Sequence, residues 1–313
     1  MITLDDINAA AARIAPYVRH TPLLHATALD SPPTGASLWL KLECLQATGS
    51  FKARGATNKL LATPKDELAA GVVTASGGNH GLAVARAARI AGVPATIFVP
   101  TNASPAKIDK LRRLGATVEV VGSVWNDTNV HALDFAERSG AAYFHPFADP
   151  LVLAGQGTIA LELLEDNPEL DTVLVAIGGG GLISGMSVAL KALKPSVRII
   201  GIEPTGCPTF HASLAAGQVV TLDKVTTMVA TMACARTEEA VFALSREAID
   251  DVVLVEDEEM VDAARWLWFE LGLAADLSGA AAVAALRSGR LELDAASNVC
   301  ALVCGAGPEA LTA

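Results

Sequence analysis

The chain has 313 residues, 51% hydrophobic and 18% charged, a balance that buries a core and excludes disorder as the main state, at a length that favours two domains or one large α/β unit. Its 23 basic and 34 acidic side chains leave a formal charge of −11, which repels phosphate backbones and anionic lipid surfaces, so nucleic acid is not expected as a partner and any anionic ligand needs a local device. Five cysteines (Cys44, Cys207, Cys234, Cys300 and Cys304) are odd in number and form no CxxC pair, which argues against a disulfide framework and a zinc site and fits a reducing cytoplasm.

Acidic residues at Asp5 and Asp6 stand where an export signal would be basic, and no apolar run reaches the roughly 18 residues of a membrane span, so neither is expected. Residues 4–18 carry apolar side chains at helical spacing behind Thr3, which predicts an N-capped helix that is over by Pro22. Leu38-Trp39-Leu40-Lys41-Leu42-Glu43 alternates apolar and charged positions, as a strand with one buried face does. Short β-rich runs follow at 72–74, 95–99 and 117–121, separated by alanine-rich helical stretches such as 81–91. A second series occupies 172–177, 197–202, 252–255 and 299–303. This rhythm predicts an α/β fold with two open, mostly parallel twisted sheets and helices on both faces. Ligands of such sheets bind beyond the carboxyl ends of the strands, which directs attention to the loops there.

Four of these segments carry candidate chemistry. Lys52 follows the turn-forming Thr48-Gly49-Ser50 and precedes a helical run, which places it in a first helical turn beside Phe51. Thr74-Ala75-Ser76-Gly77-Gly78-Asn79-His80-Gly81 opens a helix after a strand, where Ser76, backbone N–H groups and the helix dipole suit a carboxylate; the alternative is a plain helix cap. Gly178-Gly179-Gly180-Gly181-Leu182 also links strand to helix and leaves its N–H groups unobstructed for an anion such as phosphate, or else merely permits tight packing. Gly155-Gln156-Gly157-Thr158-Ile159-Ala160 fits G-x-G-x-x-A, a nicotinamide-binding cue that requires a strand over 150–154.

Together these runs resemble the fold-type-II pyridoxal-phosphate enzymes, and within them the serine/threonine dehydratase and serine racemase branch. The resemblance rests on His20-Thr21-Pro22-Leu23, Lys41-Leu42-Glu43, Ser50-Phe51-Lys52-Ala53-Arg54-Gly55-Ala56, Ser76-Gly77-Gly78-Asn79-His80-Gly81, His145-Pro146-Phe147, Ala154-Gly155-Gln156-Gly157-Thr158, the tetraglycine loop and Val303-Cys304-Gly305. It implies a tryptophan synthase beta-like architecture, with 1–50 plus 145–313 as the larger, cofactor-binding domain and 51–144 as a smaller α/β domain. It implies pyridoxal 5'-phosphate held on Lys52 as a Schiff base, flanked by Phe51, with Asn79 on the ring hydroxyl. Gly178, Gly179, Gly180, Gly181 and Leu182 would hold the phosphate, and Cys304 would face the pyridine nitrogen. Ser76, Gly77, Asn79 and His80 would surround the substrate carboxylate, with Lys52 as the catalytic base.

The implied reaction is β-elimination of water from L-threonine or L-serine, giving 2-oxobutyrate or pyruvate and ammonia, in a cytoplasmic homodimer. Alternatives within the fold are dehydration of hydroxyaspartate or phenylserine, β-replacement, and serine racemisation; a nicotinamide oxidoreductase is the remote one. Racemases of the branch carry at position 77 a serine that protonates the opposite face, and Gly77 lacks that proton. A divalent-cation pair would join Glu203 to an acid at 209, where Thr209 stands, so no metal is expected. The Glu-Pro-Ser-Gly-Ala run of relatives becomes Asp276-Leu277-Ser278-Gly279-Ala280, which puts the preferred substrate in question. The end at Ala313 suggests that no regulatory domain is appended and that the role is catabolic or unregulated.

Overall fold

The structure, a computed structural model, describes residues 1–101, 103, 105–123, 125–308 and 310. In chain order the elements are α1 (Leu4–Ile14), β1 (Leu23–His25), β2 (Ser37–Lys41), α2 (Lys52–Ala62), β3 (Val72–Ala75), α3 (Asn79–Ala91), β4 (Ala95–Val99), α4 (Pro105–Arg113), β5 (Thr117–Val120), α5 (Trp125–Ser139) and β6 (Ala142–Tyr143). They continue with α6 (Pro150–Asp166), β7 (Thr172–Ala176), α7 (Gly181–Leu193), β8 (Arg198–Pro204), α8 (Thr209–Ala216), α9 (Glu239–Ser245), β9 (Asp251–Val255), α10 (Asp257–Leu271), α11 (Leu277–Arg287) and β10 (Asn298–Leu302).

Among the described residues the strands form two sheets, one ordered β1-β2-β10-β7-β8-β9 and the other β5-β4-β3-β6. Every pairing is parallel except β1 with β2. The expected α/β class with mostly parallel sheets is thus what the chain adopts. The fully parallel interior explains why strands such as β7 and β3 are buried along their whole length. Each sheet has its own apolar packing: Val173, Ile199, Val283 and Ala301 lie in one core cluster, and Leu60, Val84, Ile97 and Phe144 in another. Among the described residues no helix is long and apolar enough to cross a membrane.

Thr3 caps α1 as its sequence indicates: Thr3 Oγ1 accepts from the Asp6 amide and Asp6 returns the bond to the Thr3 N–H, at 2.8 Å. The helix stops at Ile14 rather than reaching 18, because Pro16 has no N–H for the ladder. Two readings need correction. The alternating run 38–43 ends as a strand at Lys41, with Glu43 in the turn after it, and its charged positions do not face solvent: Lys41 and Glu43 are both fully buried, and each has an ionic partner, Lys41 with Glu162 at 2.8 Å and Glu43 with Arg54 at 2.7 Å. The strand that a nicotinamide site requires does not exist, because Asp149 caps α6 at Pro150 and the Gly155–Ala160 run lies within that helix. Its glycines serve contact between helices: a Cβ on Gly155 would stand 2.6 Å from the Gly55 Cα, and one on Gly157 2.7 Å from the Gly185 carbonyl.

Candidate active site

The continuation of β10 grips the segment that precedes Lys52. Ser50 bridges to Gly305, and the Phe51 N–H donates to the Cys304 carbonyl at 3.2 Å. Helix α2 therefore starts at the carboxyl edge of the larger sheet, with Lys52 in its first turn. The ε-amine lies 5.0 Å from the Phe51 ring centroid and donates to the Pro146 carbonyl at 2.7 Å. Burial pulls the ammonium from 10.5 down to about 8.

The tetraglycine loop follows β7 and opens α7. The amides of Gly178, Gly179 and Gly180 donate to no protein acceptor among the described residues, and those of Gly181 and Leu182 belong to the first helical turn, which has no intrahelical acceptor. Neighbouring chain allows no side chain here. A Cβ on Gly179 would enter the Phe147 ring, one on Gly181 would stand 2.5 Å from the Phe147 carbonyl, and one on Gly178 2.9 Å from the Thr231 carbonyl. Gly180 has φ +89, a left-handed conformation that favours glycine. Thr237 Oγ1 donates to the Gly179 carbonyl at 3.0 Å and fixes the loop from the other side. The result is a run of N–H groups without protein acceptors at a helix N-terminus, in a loop that side chains would obstruct, suited to a phosphate.

The 76–81 loop lies across the cleft from these glycines. The Thr231 methyl stands 3.9 Å from where a Gly78 Cβ would be, and the same residue's carbonyl covers Gly178, so one strap spans both loops. Ser76 Oγ accepts from the Gly78 N–H at 3.3 Å, and Asn79 and His80 begin α3 with amides that donate to no acceptor among the described residues, at its positive end. The His80 ring turns inward instead. It is 3% exposed, Nε2 donates to the Phe144 carbonyl at 3.0 Å, and Nδ1 is buried without a partner. Burial, with the nearby Lys52 charge, lowers its pKa to about 3, so the ring is neutral and His80 offers the cleft its backbone N–H.

Asn79 Nδ2 donates to Asp276 Oδ2 at 2.9 Å, a bond between α3 and the start of α11. Asp276 Oδ1 accepts from Ser278 Oγ at 2.7 Å and from the Gly279 amide at 2.6 Å. The Cys304 thiol donates to Ser278 Oγ at 3.8 Å and is buried; burial first, then the Asp276 charge, pushes it far above the ordinary thiol range. Asn79 and Cys304 lie in recognisable sequence motifs and Asp276 at a departure from one; the roles of the Pro146 carbonyl, Thr231 and Thr237 are not legible there, because backbone acceptors and strap residues carry no local signature.

Arg54, two residues beyond Lys52, is buried and bonds Glu43 Oε1 at 2.7 Å, Glu162 Oε1 at 2.6 Å and the Arg19 carbonyl at 3.2 Å. The network pins the first turn of α2. Glu203 accepts the Phe210 and His211 amides, both at 2.8 Å, so its oxygens serve the start of α8. Among the described residues no cluster of three or more His, Cys, Asp or Glu is placed to hold a metal ion.

An amine beside an aromatic ring, a cradle of free amides that Cβ atoms would obstruct, a side-chain amide and a protonated thiol together fit pyridoxal 5'-phosphate. Comparison with known proteins agrees with that donor set. The family described as "Pyridoxal-phosphate dependent enzyme" matches residues 14–305. An L-threonine ammonia-lyase from Thermotoga maritima is 41% identical over 307 residues, covering 98% of this chain and 76% of that protein. A phenylserine dehydratase from Ralstonia pickettii is 39% identical over 315 residues, covering 99% of this chain and 95% of that protein. The structure of maize serine racemase superposes with a TM-score of 0.92 at 37% identity, covering 97% of this chain and 93% of that one.

Proposed function

The chain belongs to the pyridoxal-phosphate-dependent enzymes, and from that premise we propose that it is an L-threonine/L-serine ammonia-lyase, releasing 2-oxobutyrate or pyruvate and ammonia, that works as a cytoplasmic homodimer. The observation that carries the reading is Lys52: an amine lowered by burial to about 8 and held at the Pro146 carbonyl, in a chain similar over nearly its whole length to a threonine ammonia-lyase.

Pyridoxal 5'-phosphate, when bound, supplies the electron sink that makes the α-hydrogen of an amino acid acidic. We assign its phosphate to the amides of Gly178, Gly179, Gly180, Gly181 and Leu182, its hydroxyl to Asn79 and its ring nitrogen to the side of Cys304. Phe51 flanks the ring. The Ser76 hydroxyl and the first amides of α3, with Gly77 leaving room beside them, hold the substrate carboxylate. Lys52 Nζ takes the α-proton, and its lowered pKa keeps a useful share of the amine neutral near physiological pH. The β-hydroxyl then leaves with a proton as water, which balances the proton taken by Lys52, and hydrolysis of the released product gives the 2-oxo acid and ammonia. Cys304 stays protonated and so would not stabilise positive charge at the ring nitrogen as a carboxylate would, which favours elimination at the β-carbon. Gly77 has no side chain to return a proton from the other face.

The test is production of 2-oxo acid and ammonia in equal amounts from L-threonine and L-serine, with the visible absorbance of a lysine-linked cofactor. In Lys52→Ala the absorbance should vanish and turnover should fall by at least ~10³; no 2-oxo acid from either substrate in the wild-type protein would overturn the proposal. The relative named phenylserine dehydratase, matched over 95% of its length, supports a second reading in which a bulkier hydroxyamino acid is preferred. A higher kcat/KM for phenylserine than for threonine would select it.

A further inference from the structure

The hydrogen bonds around Asp276 assign it a role at the cofactor, and we propose that Asp276 is a positioning residue that sets which end of the Asn79 amide faces the cleft. The inference rests on the assignment of Asn79 to the cofactor hydroxyl. Asp276 carries two acceptor oxygens, and both are in use. Oδ1 takes the Gly279 amide at 2.6 Å and the Ser278 hydroxyl at 2.7 Å, which caps α11; Oδ2 takes Asn79 Nδ2 at 2.9 Å. An ionised carboxylate accepts and never donates, so it cannot face the carbonyl end of the amide, and the Nδ2 end is fixed toward it. One amide hydrogen is left for the cleft, on a nitrogen whose other hydrogen binds an anion.

The surroundings leave little freedom for another arrangement. Asp276 is 6% exposed. A Cβ on Gly305 would run into Asp276 Oδ2 and stand 2.9 Å from Asn79 Nδ2, so the chain at Gly305 passes against this bond. The Asp276 N–H donates to the Gly305 carbonyl at 3.0 Å and holds the cap residue in place. Asn79 belongs to α3, beside the smaller sheet, and Asp276 to the start of α11, beside the larger one, so the bond also ties the two halves of the site together.

Asparagine at 276 separates the two tasks. It is itself a good N-cap and preserves α11 through its single acceptor on the Gly279 amide, but it turns an NH₂ group toward Asn79 Nδ2. Two donors cannot face each other, so the Asn79 amide turns over and presents Oδ1, an acceptor, to the phenolic oxygen of the cofactor. That oxygen then loses a donor and keeps its proton. The expected readout is the absorbance of the bound cofactor at fixed pH: in Asp276→Asn the ratio of visible to near-ultraviolet absorbance falls at least twofold, before any substrate is added. Asp276→Ser keeps a cap acceptor and offers Asn79 no charged partner; its ratio falls by less than that of Asp276→Asn, and it serves if the asparagine variant does not fold. Asn79→Ala is the reference. An unchanged ratio in both position-276 variants, with a changed ratio in Asn79→Ala, overturns the role of Asp276 and leaves the site assignment standing. An unchanged ratio in Asn79→Ala overturns the assignment of Asn79 itself.

Discussion

A lysine that titrates near 8 instead of 10.5 makes turnover sensitive to pH in a definite direction. Below about pH 8 the freed Lys52 amine is mostly protonated and cannot take the α-proton, so kcat at saturating threonine should rise with pH and level off above that value; a profile flat from pH 6.5 to 9.5 would contradict the role. Position 77 gives a second prediction. A Cβ there would lie 3.4 Å from the Ala103 Cβ, ordinary contact, so Gly77→Ser should fold normally and supply the missing hydroxyl. Chiral analysis of the products should show D-serine from L-serine in the variant and none from the wild-type protein. At this scale Lys52, Asn79 and the glycines were legible because each sits in a compact motif. The Asn79–Asp276 bond was not, since 197 positions separate its partners and their pairing depends on how two sheet edges meet.

Among the elements, the strands with continuous apolar runs were readable and two short ones were not. β1 has 3 residues and β6 has 2, too few for periodicity to register. The alternating run 38–43 shows the opposite difficulty: its pattern is clear, but burial of Lys41 and Glu43 depends on ionic partners on other elements, Glu162 of α6 and Arg54 of α2. The Gly155 run misled in the same way, because glycines that admit a neighbouring helix look identical in sequence to glycines that admit a pyrophosphate. Their packing role predicts that Gly155→Ala, whose Cβ would lie 2.6 Å from the Gly55 Cα, forces α2 and α6 apart. Overpacking of this kind costs about 1–3 kcal/mol, and a lowered thermal midpoint together with weaker cofactor retention would report it; an unchanged midpoint would refute the contact.

For the whole molecule, Arg54 joins three stretches of chain, α2, the turn after β2 and α6, through Glu43 and Glu162. Arg54→Met leaves Glu43 buried beside Thr21 without its counter-ion, which should cost about 3–5 kcal/mol. Urea denaturation should show a lower midpoint at unchanged slope, and a variant as stable as the parent would show that the network is not structural. The passage from the smaller sheet to the larger has a consequence of another kind. Within five residues the Tyr143 carbonyl accepts Lys59 at 2.8 Å, the Phe144 carbonyl accepts His80 at 3.0 Å, the Pro146 carbonyl accepts Lys52 at 2.7 Å, and Phe147 fills the space over the glycines. Most connecting loops tolerate an inserted or deleted residue. Here a change of one in length would move every later carbonyl out of step with its donor, so homologues can vary the composition of this stretch far more freely than its number of residues.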